Sequence, residues 1–351
     1  MSEWKKVCLG DLVTIRTGKR DANFGSPDGA YPFFTCARQI SRCRSYSFDC
    51  DAILLAGNCD ISNMQRYCGK FEAYQRTYVL TNKDDSISDL DYIWNCLRRD
   101  WVKVTLGKML GAAIQYIKLG MIKEFQIALP PLPTQKRIAD ILSAYDDLIE
   151  NNRRRMEILE ESARLIYRKM FGGDVPDADR WPVVKIGDIL CKVHRAVKIP
   201  KEEYCESGTY PCIDQSREFI GGYTNNEAAV NHDLPAIVFG DHTRILKFVR
   251  FPFASGADGT QLIRSNDRRI SQEFLYYALL EIDLTNYFYA RHFKILKNKD
   301  LRLPPFDLIA EFTRLVSPMT ERTAVLLKEN IKLAEARDML LPKLMNGGGI
   351  G

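Results

Sequence analysis

The side chains best suited to proton transfer or metal ligation are few. Histidine occurs four times, at His194, His232, His242 and His292, all in the second half of the chain. Cysteine is commoner, and Cys36, Cys43, Cys50, Cys59 and Cys68 fall in one stretch at spacings of seven and nine. A zinc knuckle needs at least one tight pair, so these read as partly buried thiols, with a metal site as the less favoured alternative. No His-Glu-x-x-His, Cys-x-x-Cys or phosphate-cradling Gly-x-x-x-x-Gly-Lys-Ser/Thr occurs; Gly107-Lys108 lacks both the loop and the hydroxyl.

One near miss comes twice. Leu129-Pro130-Pro131-Leu132 and Leu303-Pro304-Pro305-Phe306 approximate the Asn/Asp-Pro-Pro-Tyr/Phe motif of amino-methyltransferases. That chemistry needs a leading side-chain oxygen to hold the target amine, and leucine has none. The sequence therefore carries no catalytic constellation, and the expected catalytic and metal sets are empty. Composition narrows the class further. Of 351 residues, 46% are hydrophobic and 27% charged, which excludes a disordered tail, a collagen-like fibre and a disulfide miniprotein. No apolar run approaches the roughly 18 residues of a membrane span. Met1-Ser2-Glu3-Trp4-Lys5 is no signal peptide, and ten cysteines read as reduced thiols, so a cytoplasmic protein without membrane contact is expected. A net charge of +5 permits nucleic-acid binding without demanding it.

The elements come in two copies. Trp4-Lys-Lys-Val7-Cys-Leu9-Gly10-Asp11 returns as Trp181-Pro-Val-Val184-Lys-Ile186-Gly187-Asp188, and Tyr31-Pro32-Phe33 as Tyr210-Pro211-Cys212. Ala52-Ile53-Leu54 answers to Ala236-Ile237-Val238, Tyr92-Ile93-Trp94 to Phe274-Leu275-Tyr276, and the Pro-Pro pairs to each other. Each copy begins with short alternating stretches broken by turn residues, and 89–101 and 271–282 read as helices.

Each copy ends in a long heptad helix. Ile138, Tyr145, Asn152, Leu159 and Ile166 recur every seven residues, as do Phe312, Met319, Leu326, Leu333 and Leu340. Thr134 and Asp307 are the expected caps, and Pro342 is expected to disturb the last turn. Helices of about 55–60 Å with such stripes are expected to pair as an antiparallel coiled coil, with Asn152 in the seam, the alternative being two separate amphipathic helices each packed on its own domain. The fold class is therefore α+β: two pseudo-symmetric mixed α/β domains joined by two long α-helices. The expected boundaries are 1–132 and 174–306 for the domains, with helices at 133–173 and 307–351.

The helical residues also carry a resemblance. Leu129-Pro-Pro-Leu-Pro-Thr-Gln135-Lys-Arg-Ile-Ala-Asp-Ile-Leu142, with Asp146-Asp147-Leu-Ile-Glu-Asn151-Asn-Arg153 and Leu159-Glu160 to Phe171, resembles the central conserved region of DNA-specificity subunits of type I restriction–modification systems. Arg337-Asp338-Met-Leu-Leu-Pro342-Lys-Leu344-Met-Asn-Gly347 resembles their distal conserved end, and the opening of the chain resembles the start of their target-recognition domains. The second helix departs from the pattern: Phe306-Asp-Leu-Ile-Ala-Glu311 stands where the first has the Gln-Lys-Arg run.

The resemblance implies a non-catalytic reader of double-stranded DNA. Each recognition domain would read half of an asymmetric bipartite site. The helices would set the spacing and dock two modification subunits carrying S-adenosylmethionine, joined by restriction subunits using ATP and Mg. This chain itself would bind no cofactor. Four residues added between Ile138 and Ile166 should lengthen the gap by about 6 Å, nearly two base pairs. Candidate phosphate contacts are Lys19, Arg20, Arg66, Lys70, Arg76 and Lys118 in the first copy. The second offers Arg195, Arg244, Lys247, Arg291, Lys294 and Lys297. Candidate base-edge contacts are Arg38, Gln39, Gln115 and Tyr116, with His242, Thr243 and Gln261. Two other readings stay open: the specificity subunit of a modification-only complex, and a coiled-coil scaffold whose end domains bind proteins.

Overall fold

The computed structural model describes all residues except 1–3, 59, 109–115, 174, 177, 194–195, 286–290 and 346–351, and the side chains of 106–108. The chain forms two compact units, Met1–Ile149 with Ile331–Gly351, and Glu150–Asn330. The duplication seen in the sequence is a duplication of strand pairing.

In the first unit the opening strand Lys5–Cys8 pairs antiparallel with Gln126–Leu129. In the second, Val183–Lys185 pairs the same way with Asp300–Arg302. Tyr31–Phe34 lies antiparallel to Ser41–Cys43 and parallel to the end of Met64–Ala73. Its counterpart Tyr210–Ile213 lies antiparallel to Gly222–Thr224 and parallel to Phe253–Ser255. Phe48–Ala56 sits between Met64–Ala73 and Thr77–Asn82, and Ala236–Gly240 between Leu246–Val249 and Thr260–Ile263. The copies differ where Pro252 falls. The first has one ten-residue strand there, whereas the second has two short ones, because proline donates no ladder hydrogen bond.

Matched helices brace each sheet. Leu90–Lys108 starts on Asp89, whose carboxylate accepts from the Tyr92 amide at 2.8 Å; Gln272–Leu280 starts on Ser271, whose hydroxyl accepts from Phe274 at 3.1 Å. Tyr92 and Phe274, paired by the repeat, are both fully buried.

The central helix runs Leu132–Phe171 and the distal helix Phe306–Met345. Each begins at its Pro-Pro pair, where the Pro131 and Pro305 carbonyls accept the first helical bonds. Thr134 and Asp307 are thus inside the helices rather than caps, and the distal helix continues through Pro342 to Met345. Gln135 is fully buried: its side chain accepts from the Asp89 amide and donates to the Ile87 and Pro130 carbonyls. It ties the start of the central helix to the brace helix. At the matching distal position Ile309 is fully buried instead, so the departure in the second copy is a change of internal packing.

The helices pair antiparallel within each unit. In the first, Arg337 bonds to Asp146 at 2.6 Å, and Arg98 from the brace helix meets the same carboxylate at 2.6 Å. In the second, the Asn152 amide donates to Asn330 at 2.9 Å, and the Tyr167 and Phe171 rings pack on Phe312 at 5.7 and 5.4 Å. Of the heptad residues, Ile138, Phe312 and Leu326 are fully buried and Asn152 is buried. Tyr145, Leu159, Ile166, Met319, Leu333 and Leu340 are half-buried, as befits a two-stranded seam. A buried asparagine pair of this kind is expected to fix the register of the two helices. Asn152→Leu alone is expected to destabilise by about 1–3 kcal/mol, because the Asn330 carbonyl loses its donor. Replacing both by leucine should recover that loss while loosening register, as measured by urea unfolding in a double-mutant cycle.

Candidate nucleic-acid interface

In each unit, five segments converge where the strand ends release the chain. In the first, Gly57 donates to the Arg76 carbonyl at 2.8 Å, and its own carbonyl accepts from Ile117 at 2.8 Å. Cys36 and Asn63 join the loop after Phe34 to this group: the Cys36 thiol donates to the Arg76 carbonyl, and Asn63 donates to the Cys36 carbonyl at 3.2 Å. Gln75 donates to the Arg20 carbonyl at 2.9 Å. Residues 18–20, 35–40, 57–58 with 60–63, 74–77 and 116–118 are thereby held together. Gly57 and Gly18 permit the close approach, since a Cβ would lie 2.4 Å from the Arg76 oxygen at one and 1.9 Å from the Ala73 oxygen at the other.

The second unit repeats the arrangement. Ile199 bridges Gly256, Gly256 donates to the Ile213 carbonyl at 3.0 Å, and Asp241 donates to the Gly259 carbonyl at 2.7 Å. The loop after Ile213 is held by Gln215, whose side chain accepts from the His242 amide at 3.2 Å and whose carbonyl accepts from the Thr243 hydroxyl at 2.7 Å. His292 donates its amide to the Asp241 carbonyl at 3.1 Å, repeating the bond from Ile117 to Gly57.

Lys19, Arg20, Arg38, Gln39, Arg76, Tyr116 and Lys118 fall on the first cluster, all exposed. On the second fall the exposed His242, Thr243, Arg244 and Arg291, with the half-buried Gln261 beside Thr260 and Lys294 one turn beyond Arg291. Gln115 and Arg195 lie outside the described residues. The remaining four candidates lie elsewhere. Arg66 is clasped by Asp51 and Asp91, and its side chain is mostly buried. Lys70 stands 4.9 Å from the Tyr46 ring, and Lys297 5.2 Å from the Phe293 ring.

Lys247 corrects the expectation most clearly. It is 3% exposed, donates to the Glu218 carbonyl at 2.5 Å and lies 3.7 Å from Asp214. Burial pushes its ammonium down, with Asp214 opposing. Burial acts to raise the Asp214 pKa, but the Ser216 bonds and Lys247 outweigh it and hold the carboxyl below its usual range. Lys247 is an internal strut and cannot reach a phosphate.

Charge differs among the clustered cations. Arg20 is tied to the buried Glu72 at 3.3 Å and Arg38 to Asp60 at 2.7 Å. Lys19, Arg76, Lys118, Arg291 and Lys294 make no ion pair among the described residues. Sequence reasoning missed Gln215 and Arg217. Arg217 stands four residues after the end of its strand, as Arg38 does, and is also exposed. Only an alignment of the two copies through the loop shows that equivalence. Arg244 has a left-handed backbone, φ 63°, in a turn closed by its amide on the Gly240 carbonyl at 2.8 Å, while its guanidinium donates to the Leu284 carbonyl at 3.0 Å; nothing in the local sequence signals it.

This duplicated architecture is matched by the family described as the type I restriction modification DNA specificity domain, over residues 1–161 and 178–308. The chain belongs to this family. The type I restriction enzyme EcoDI specificity subunit of Escherichia coli is 41% identical over 155 residues, covering 44% of this chain and 34% of that protein. The MjaIX specificity subunit of Methanocaldococcus jannaschii is 28% identical over 276 residues, covering 68% of this chain and 63% of that one. The chain thus spans about a third and under two thirds of these curated relatives. A crystal structure of the type I restriction–modification S subunit from M. genitalium shares the fold, with TM-score 0.61 and 19% identity over 97% of this chain and 96% of that one. As in other members of the family, the matched region occurs twice, and among the described residues no helix is long and apolar enough to cross a membrane.

Proposed function

We propose that this specificity-family chain reads double-stranded DNA, one cluster addressing each half of a bipartite site. The observation that carries the proposal is the repetition of the same five-segment convergence, each time bringing exposed cations and directional hydrogen-bonding side chains together. Lys19, Arg76 and Lys118, without counter-ions among the described residues, suit phosphates, as do Arg291 and Lys294. The clusters carry different side chains, so the two half-sites differ in sequence.

On this reading the chain performs no chemistry. The paired helices fix the separation and dock two modification subunits, which supply S-adenosylmethionine and transfer the methyl group. Restriction subunits add ATP- and Mg-dependent steps, and the complex works in the cytoplasm. On the same reading the two recognition domains lie within 1–132 and 174–306, the first leading into the helix Leu132–Phe171 and the second into the helix Phe306–Met345.

Binding of labelled duplex by the chain with its modification subunits, titrated with salt, tests the proposal. Affinity should fall steeply between 50 and 200 mM salt, by roughly 10³-fold or more for six or more phosphate contacts. Replacing Lys19, Arg76 and Lys118 together by alanine should weaken binding to all sequences alike and lower the salt slope by roughly one per cation. A shallow salt response from the unaltered complex would favour a protein-binding scaffold.

A further inference from the structure

Arg38 differs from the other cations of its cluster in how its guanidinium is held. Its Nε donates to Asp60 Oδ2 at 2.7 Å and its Nη2 to the Ser62 hydroxyl at 2.9 Å. The Ser62 hydroxyl in turn donates to Asp60 Oδ1 at 2.5 Å, and the Ser62 amide donates to the same oxygen at 3.0 Å. Burial works against the Asp60 charge, but the bonds from Ser62 and Arg38 outweigh it and hold the carboxyl below its usual range. The carboxylate is thus ionised at neutral pH and fixes the plane of the guanidinium.

The two bonds occupy one edge of the guanidinium, the edge formed by Nε and Nη2. The other edge, Nη1 with the second proton of Nη2, makes no hydrogen bond among the described residues, and the side chain is 73% exposed. Two parallel N–H donors in a plane match the O6 and N7 acceptors of guanine in the major groove. They match two phosphate oxygens equally well in shape, and charge decides between them. Asp60, itself partly exposed, would repel a phosphodiester brought to the free edge, whereas the guanine edge carries no net charge. The carboxylate also removes the rotamer freedom that an exposed arginine would otherwise lose on binding.

From this geometry we infer that Arg38, buttressed by Asp60 and Ser62, is a specificity-determining residue that reads one guanine of the half-site addressed by the first cluster. The inference rests on the DNA-reading function proposed above and adds the base, the residue and the groove. Arg217, at the equivalent loop position of the second cluster, serves as an internal control because it addresses the other half-site.

The test is selection of duplexes from a randomised library by the full chain together with its modification subunits. The unaltered complex should enrich a bipartite sequence; if it enriches none, the DNA-reading proposal itself fails. Given enrichment, Arg38→Ala and Arg38→Lys should each relax one position only, a guanine, by about 10-fold or more, because lysine keeps the charge and loses the planar fork. Replacing that guanine by 7-deazaguanine, which lacks N7 but still pairs with cytosine, should weaken the unaltered complex and leave Arg38→Ala unchanged. Arg217→Ala should leave this position intact. Uniform weakening of all sequences by Arg38→Ala, or relaxation at a base other than guanine, would overturn the inference and make Arg38 a phosphate contact or a reader of another base.

Discussion

Four residues added to each long helix, one insertion after Ile149 and its match after Asn330, should widen the gap between the two proposed half-sites by about 6 Å, or nearly two base pairs. Both insertions are needed, which corrects the expectation that lengthening the central helix alone would suffice. The end of the distal helix is anchored in the core of the first unit through Leu341, Leu344 and Met345, alongside Ile138 and Leu142 of the central helix. Lengthening only one helix would pull against these contacts and against the Arg337–Asp146 bond. A four-residue insertion advances a helix by 400°, so the heptad stripe is displaced by only about 40°, a stutter that a coiled coil absorbs by local unwinding. Sites methylated by cells carrying the insertion variant report the gap directly. An unchanged gap would show that something other than the helices sets it.

Phe312→Ala should have the largest effect on stability, about 3–5 kcal/mol in the second unit. The ring is fully buried and meets Tyr167, Phe171 and Tyr277 at centroid distances of 5.4 to 5.8 Å, with Ile309 and Val316 buried in the same cluster. Truncation removes the contact surface shared by the two helices and the brace helix Gln272–Leu280. The cavity cannot close readily, because three separate elements would have to move. Leu165→Ala, on an exposed face of the central helix, should change stability by less than about 0.5 kcal/mol. Urea denaturation followed by circular dichroism separates the two outcomes; similar midpoints for both variants would place the helix contacts outside the core.

Much of the fold was legible because its signals are periodic or repeated. The heptads at Ile138–Ile166 and Phe312–Leu340 marked the helices, and the Tyr-Pro and Pro-Pro pairs marked the same hairpin and the same helix start twice. Helix starts were less legible. Thr134 and Asp307 have the chemistry of caps, but the Pro131 and Pro305 carbonyls take that place, and side-chain preference alone does not settle which residue begins a helix. The seam chemistry was half visible: Asn152 was expected in the seam, whereas its partner Asn330 depended on the register between helices, which one strand of sequence does not carry.

The interface was legible as a set of residue types and not as a surface. Lysine and arginine are commonest on surfaces generally, so Lys247 and Lys19 read alike in sequence. Three-dimensional pairing separates them: Lys247 is buried beside Asp214 and Lys19 is exposed. In the same way Arg66 is spent on Asp51 and Asp91, whereas Arg38 keeps one donor edge after binding Asp60. Carboxylates far apart in sequence decide the role of each cation.

The decisive measurement is duplex selection by this chain together with the proposed modification subunits. The selected duplexes should carry two short, dissimilar blocks separated by a constant number of unspecified base pairs. A single uninterrupted block, or two blocks at variable separation, would contradict the proposed function.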